Sequence, residues 1–250
     1  MAFSVVGWSE TQDSAGVLVQ VAAIPDQHVT TAADDVLVPD FAPNLMGAFA
    51  LGTTITLARL SSPSMRRSSL YDISPVNVGA EPLTPYFWHD RHLTPRPLTP
   101  GEGLRALVAE GAAGVEFEEV FVWLMDKVDP LPTGEIQTIR MVGATACVAE
   151  TWTLCPLVLG QQLEAGRYAI VGMRAISASC LAARLVIPGS PFRPGVVGQD
   201  AETDIPDDIF RYGNLGVWGE FEHTFPPQAE FCCGAADAAE VVYLDIIKIG

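Results

Sequence analysis

The four residues His89-Asp90-Arg91-His92 place two imidazoles and a carboxylate in consecutive sequence, donor types that zinc and related metals accept. A site there requires a turn that brings both rings to one point and a third ligand from elsewhere. His28 and His223 are the only other imidazoles in the chain. The segment therefore reads as a solvated or packing loop ahead of a metal site. A second oxygen-rich run, Asp200, Glu202, Asp204, Asp207 and Asp208, has the donor chemistry of a Ca²⁺ site but neither the spacing nor the glycine of an EF-hand loop. It reads as a solvated acidic loop. No His-x-His pair occurs, which argues against the iron or manganese chemistry of duplicated cupin-type enzymes. No Gly-x-Ser-x-Gly elbow occurs either, Gly213 to Gly219 does not follow a phosphate-loop pattern, and Cys232-Cys233 has no CxxC partner. The expected sets of catalytic, cofactor-binding and metal-binding residues are empty.

Arginines and aromatics offer a different chemistry, that of contact surfaces. Pro63-Ser64-Met65-Arg66-Arg67 and Pro188-Gly189-Ser190-Pro191-Phe192-Arg193 each follow an Ala-Arg-Leu segment. Both corners would present a cation, and arginine makes bidentate pairs with the carboxylates in which this chain is rich. Ordinary surface arginines are the alternative. Between Pro75 and Pro100 prolines recur around Tyr86-Phe87-Trp88-His89. Aromatics in a proline-rich connection indicate a loop that packs on its own sandwich or on a neighbouring subunit. The candidate assembly contacts are accordingly Arg66, Arg67, Tyr86, Phe87, Trp88 and Arg193.

The elements that must position these residues are short apolar runs closed by turn residues. Val17 to Ile24 stops at Pro25-Asp26, Val36 to Val38 at Pro39-Asp40, and Ile55 to Leu60 at Ser61-Ser62-Pro63. Proline, glycine and aspartate do not continue a ladder, so these runs are predicted strands. Glu119 to Val128, Ile136 to Val148, Tyr168 to Met173, Cys180 to Ile187, Leu215 to Phe221 and Val241 to Ile249 follow the same pattern, with Leu131 to Glu135 as a turn. Gly213 to Gly219 fits a bulged strand around Trp218. One helix candidate follows Thr99-Pro100-Gly101-Glu102, a possible capping box. Leu104, Ala106 and Val108 in the same segment also alternate as a strand would, and a short helix or turn is favoured slightly. The stretch from Ser61 to Pro100 is predicted to be a long ordered loop.

Composition sets outer limits. Thirty acidic side chains face 14 basic ones, only Lys127 and Lys248 are lysines, and the formal net charge is −16. Such a surface repels phosphate backbones, so direct nucleic-acid binding is not expected. The start lacks a basic segment followed by a long apolar run, so no secretory signal is read and synthesis in the cytoplasm is expected. No apolar window reaches the length of a membrane span. Five cysteines, an odd number mostly within apolar runs, are expected to be reduced structural thiols.

The chain also resembles itself. Residues 47–63 align without gaps on 172–188, matching Gly47/Gly172, Ala50/Ala175, Ala58/Ala183, Arg59/Arg184, Leu60/Leu185 and Pro63/Pro188, an offset of half the chain. Glu119 to Lys127 has a counterpart in Glu240 to Lys248. Two β units in tandem are the expectation, residues 1–140 and 141–250, with Arg59 and Arg184 at equivalent strand positions. On these paired blocks the chain resembles the jelly-roll major capsid proteins of bacterial and archaeal viruses, especially compact double-jelly-roll forms. The resemblance implies an all-β, antiparallel β-sandwich or jelly-roll fold, probable only as two in tandem if the repeat is real. It implies a virion shell subunit, a homotrimer of pseudo-sixfold shape that contacts itself and other virion proteins. A glycan- or ligand-binding module stacking its ligand on Tyr86, Trp88, Trp123 or Trp218 is the alternative, and a metal-dependent β-sandwich enzyme the third reading.

Overall fold

The computed structural model describes residues 3–65, 71–77, 95–127, 129–198, 210–211, 216–236 and 239–250. The chain is all-β and divides into two compact units. One comprises the described residues from Val5 to Met125, the other those from Asp126 onward together with Phe3 and Ser4.

The first unit is built from β1 (Phe3–Gln12, whose first two residues belong to the other unit), β2 (Val19–Gln20), β3 (Thr31–Ala32), β4 (Asp35–Leu37), β5 (Asn44–Gly52), β6 (Ile55–Ser61), β7 (Tyr71–Ile73), β8 (Val76–Asn77), β9 (Arg96–Pro97), β10 (Gly103–Glu110) and β11 (Glu116–Met125). One sheet runs β1-β11-β5, with β8 and β9 both on β5; the other runs β3-β4-β10-β6-β7, with β2 also on β10. The second unit holds β12 (Ile136–Val142), β13 (Thr153–Cys155), β14 (Val158–Leu159), β15 (Arg167–Ile176), β16 (Cys180–Val186), β17 (Gly195–Val197), β18 (Phe210–Arg211), β19 (Gly219–Glu222), β20 (Gln228–Cys233) and β21 (Val241–Lys248). Its sheets run β14-β12-β21-β15-β18, with β19 also on β15, and β13-β20-β16-β17.

Eight strands of each unit share one pairing scheme. The order β1-β11-β5-β9 recurs as β12-β21-β15-β19, and β2-β10-β6-β7 recurs as β13-β20-β16-β17. Two four-stranded sheets with these crossings are the arrangement of a jelly roll. The irregularities recur as well. The β5–β11 ladder skips Met46, and the β15–β21 ladder skips Val171, 125 residues later. The β6–β10 ladder skips Thr56, and the β16–β20 ladder skips Leu181, again 125 residues later. A bulge re-aims every side chain beyond it, so bulges at matching positions keep inward and outward faces in step. Arg59, opposite Leu107, and Arg184, opposite Glu230, occupy the same place in this register.

Several sequence expectations change. The boundary expected at residues 140/141 falls at Met125/Asp126 instead, because Arg140 lies inside β12, paired with Tyr243. The helix favoured after Thr99 is a turn followed by β10: Glu102 N–H bonds to Thr99 O, Gly101 takes φ of 79°, and Leu104, Ala106 and Val108 are buried in alternation. Alternation of period two wins over the capping signal because the β4, β2 and β6 edges supply the partners. The loop expected from Ser61 to Pro100 carries β7, β8 and β9 among its described residues, with β7 completing the ladder on β6. The second alignment block is displaced by one residue. Leu51 opposite Glu119 corresponds to Ile176 opposite Val241, so the match for Glu240 is Glu118 and not Glu119.

Core strands β5, β11, β15 and β16 are buried almost throughout, so they read as continuous apolar runs, whereas β10 and β12 alternate. Phe49, Phe121 and Trp123 fill the first unit; Tyr168, Phe231 and Leu244 fill the second.

Candidate assembly surface and buried polar sites

Of the candidate contacts, Arg66, Arg67, Tyr86, Phe87 and Trp88 lie outside the described residues, as do His89 to His92 and Asp200 to Asp208. Arg193 is described, and its guanidinium turns back on its own loop. Nη1 donates to the carbonyls of Ser190 and Phe192, both at 3.2 Å, and the backbone N–H donates to Ser4 Oγ at 2.9 Å. A half-buried arginine bonded to two backbone carbonyls fastens its corner in place. Trp123 and Trp218 are buried and therefore offer no stacking platform to a ligand. Trp218 instead meets the Phe3 ring edge-on, 4.9 Å between centroids.

The paired arginines of the repeat took different roles. Arg59 makes a bidentate pair with Asp72 across β6 and β7, at 2.5 and 3.0 Å, near the surface. This hydrogen-bonded pair holds the Asp72 carboxyl below its ordinary pKa and the guanidinium above its own. Arg184 is 1% exposed, bonded through Nε to Glu230 at 2.6 Å and stacked 4.1 Å from the Trp152 ring centre. A third cationic row crosses the other sheet of the second unit. Arg140, Tyr243 and Arg174 stand side by side on β12, β21 and β15, with the guanidiniums 5.9 and 4.4 Å from the tyrosine ring.

The sequence reading missed a buried carboxylate at the head of the last strand in each unit. Glu118 and Glu240 are both fully buried. Glu118 Oε2 accepts from Gln12 Nε2 at 2.7 Å and Oε1 accepts from Ser14 Oγ. Burial is the main cause that pushes this carboxyl above the ordinary glutamate range; the Ser14 and Gln12 bonds oppose it, and the charges of Glu110 and Glu10 add to it. Glu240 is met by thiols instead. Cys147 Sγ donates to Oε1 at 3.0 Å and Cys155 Sγ to Oε2 at 3.3 Å. Burial, then the Glu240 acceptor, drive the Cys147 thiol far above its usual value, and burial raises the Cys155 thiol as well. All five cysteines are free and buried, as reduced structural thiols should be. The alignment included Glu240 but set it on Glu119, one residue out of register.

Among the described residues no group of three His, Cys, Asp or Glu is arranged to hold a metal ion, and no helix is long and apolar enough to cross a membrane. An open cleft of about 440 Å³ in the second unit is lined by Asp126, Asp129, Phe192, Trp218 and Glu220. The same unit exposes Val148, Leu154 and Val158, the last two on the edge strands β13 and β14. Fold and sites thus define an all-β protein of antiparallel sandwiches with buried polar clusters. No family model matches the chain, and no curated protein or solved structure is significantly similar to it.

Proposed function

We propose that this chain is a self-assembling virion shell subunit built from a duplicated jelly roll, and that it forms homotrimers within a larger capsid. The observation that carries the reading is the recurrence of one eight-strand pairing scheme with both bulges 125 residues apart. A trimer of such subunits presents six related sandwiches, a shape that tiles a closed shell through repeated modest interfaces. The exposed Leu154 and Val158 on short edge strands suit this role, since unpaired edges with apolar side chains seek partners. The partners are further copies and other virion proteins, and the acidic surface keeps nucleic acid out of direct contact.

Sedimentation and negative-stain imaging of purified protein test the proposal. Trimers, rings or megadalton cages are expected; a monomer at high concentration overturns it. A ligand-binding sandwich is the second reading, now without Trp123 and Trp218 as platform residues because both are buried.

A further inference from the structure

The corner between the first two core strands is fastened in the same way in both units, and the comparison isolates one residue. Ala15 bridges Glu110 in the first unit and Ala149 bridges Cys233 in the second, both parallel. Gly16 N–H then donates to Glu110 O at 3.0 Å, and Glu150 N–H to Cys233 O at 2.8 Å. Gly16 and Glu150 both adopt positive φ, 68° and 53°. Glu110 and Cys233 also correspond in the bulged ladders, opposite Ile55 and Cys180. Around two equivalent buried glutamates, Glu118 and Glu240, the first unit therefore adds a second acid where the second unit has a thiol.

That second acid lacks a donor on one side. Glu110 is 1% exposed; its Oε2 accepts from Ser14 N–H at 3.3 Å, while its buried Oε1 meets no hydrogen-bond donor among the described residues. Ser14 touches both carboxyls, with its N–H on Glu110 and its hydroxyl on Glu118. Among the described residues the surrounding elements bring no compensating cation. Glu10 on β1 adds a third carboxylate bonded to Ala22 N–H, Glu119 on β11 accepts from Ser9, and Asp13 bonds to Ala15 N–H. Strands β2 and β5 carry no charged residue, and the single arginine of β6, Arg59, is paired with Asp72. A charge on buried Glu118 is therefore costly beside Glu110, to which Ser14 also bonds.

We infer that the buried Glu118 carboxyl, fastened to Ser14 beside Glu110, is a pH-sensitive latch on the corner at residues 12–16, and that the second unit, with Cys233 in place of the second acid, has no such latch. The first unit is tightest when Glu118 is protonated. Its extra stability is full below the ordinary glutamate pKa and is lost as pH rises through the elevated value. Above that, mutual repulsion opens the corner and frees the Gly16 N–H. This inference does not depend on the assembly proposal.

Amide hydrogen exchange on the full chain tests it, with Gly16 as the reporter and Glu150 as the control inside the same molecule. After correction for intrinsic exchange, protection of Gly16 should fall on the order of tenfold or more between about pH 5 and about pH 8, while that of Glu150 holds. Glu110→Gln supplies a permanent donor without charge and should flatten the Gly16 response, and Glu118→Gln should do the same. Equal responses of Gly16 and Glu150 in the wild-type chain overturn the inference whether or not either variant folds. So does a variant that keeps the wild-type slope, or a response abolished by a chelator, which would indicate a bound cation in place of the proton.

Discussion

Arg184 donates through Nε to Glu230 at 2.6 Å from a position almost wholly closed to solvent, while Arg59, at the same place in the other ladder, pairs with Asp72 near the surface. Burial separates the two energetically. Removing one member of a desolvated pair strands the other, at about 3–5 kcal/mol, whereas an exposed pair contributes about 0–1 kcal/mol. Arg184→Ala should therefore lower unfolding stability by about 3 kcal/mol or more, and Arg59→Ala by under about 1 kcal/mol. Urea titration of the two variants reads the difference directly; equal losses would refute the assignment.

The Arg59–Asp72 pair also sets an acid limb. Asp72 has a folded pKa below its unfolded one because it accepts from Arg59. Its contribution is present above the unfolded value and disappears as pH falls through the folded value. Asp72→Asn should make the stability of the first unit less sensitive in that acid range, as thermal melts at stepped pH will show. The sign is opposite to that of Glu118, whose pKa is raised.

The thiols should be silent in the folded protein. Cys147 and Cys155 donate to Glu240 and are held protonated by burial and that acceptor. The thiolate is the reactive form, so alkylation at neutral pH should be near zero in the native state and complete in denaturant. Rapid labelling of native Cys147 would contradict the placement of its side chain against Glu240.

Gly195 lies in β17 where the backbone of β16 passes closest. A Cβ there would meet the Ala183 carbonyl oxygen at 2.1 Å, so backbone must move. Gly195→Ala should cost about 1–3 kcal/mol, the range for forced overpacking. Gly189→Ala, with open space around it but φ of 76°, carries only the backbone strain of a left-handed residue. Calorimetric melts should rank Gly195→Ala as the more damaging change.

The β character was legible in the chain because burial on both faces leaves a local trace, as in Val120 to Met125, which run apolar without a break, whereas the alternation of Leu104, Ala106 and Val108 was set below a capping signal that the structure overturns. The relation between β6 and β16 was legible too, since Ala58-Arg59-Leu60 and Ala183-Arg184-Leu185 keep their residues and spacing. Nothing local indicated that one arginine of this pair is buried on Trp152 and the other faces Asp72, because both partners arrive from other strands. The unit boundary escaped for a similar reason: Arg140 belongs to β12 through its pairing with Tyr243, 103 residues away. Glu118 and Glu240 show the limit most clearly. A glutamate looks the same in sequence whether it meets water, a serine and a second acid, or two thiols; Ser14, Glu110, Cys147 and Cys155 reach these carboxylates only through the closed sandwich. Pattern along the chain determined the β class, many of its strands and the presence of a repeat, for those depend on neighbours in sequence. Tertiary structure decided the register, the boundary and the protonation chemistry of the buried acids, since each depends on groups that only folding brings within hydrogen-bond distance.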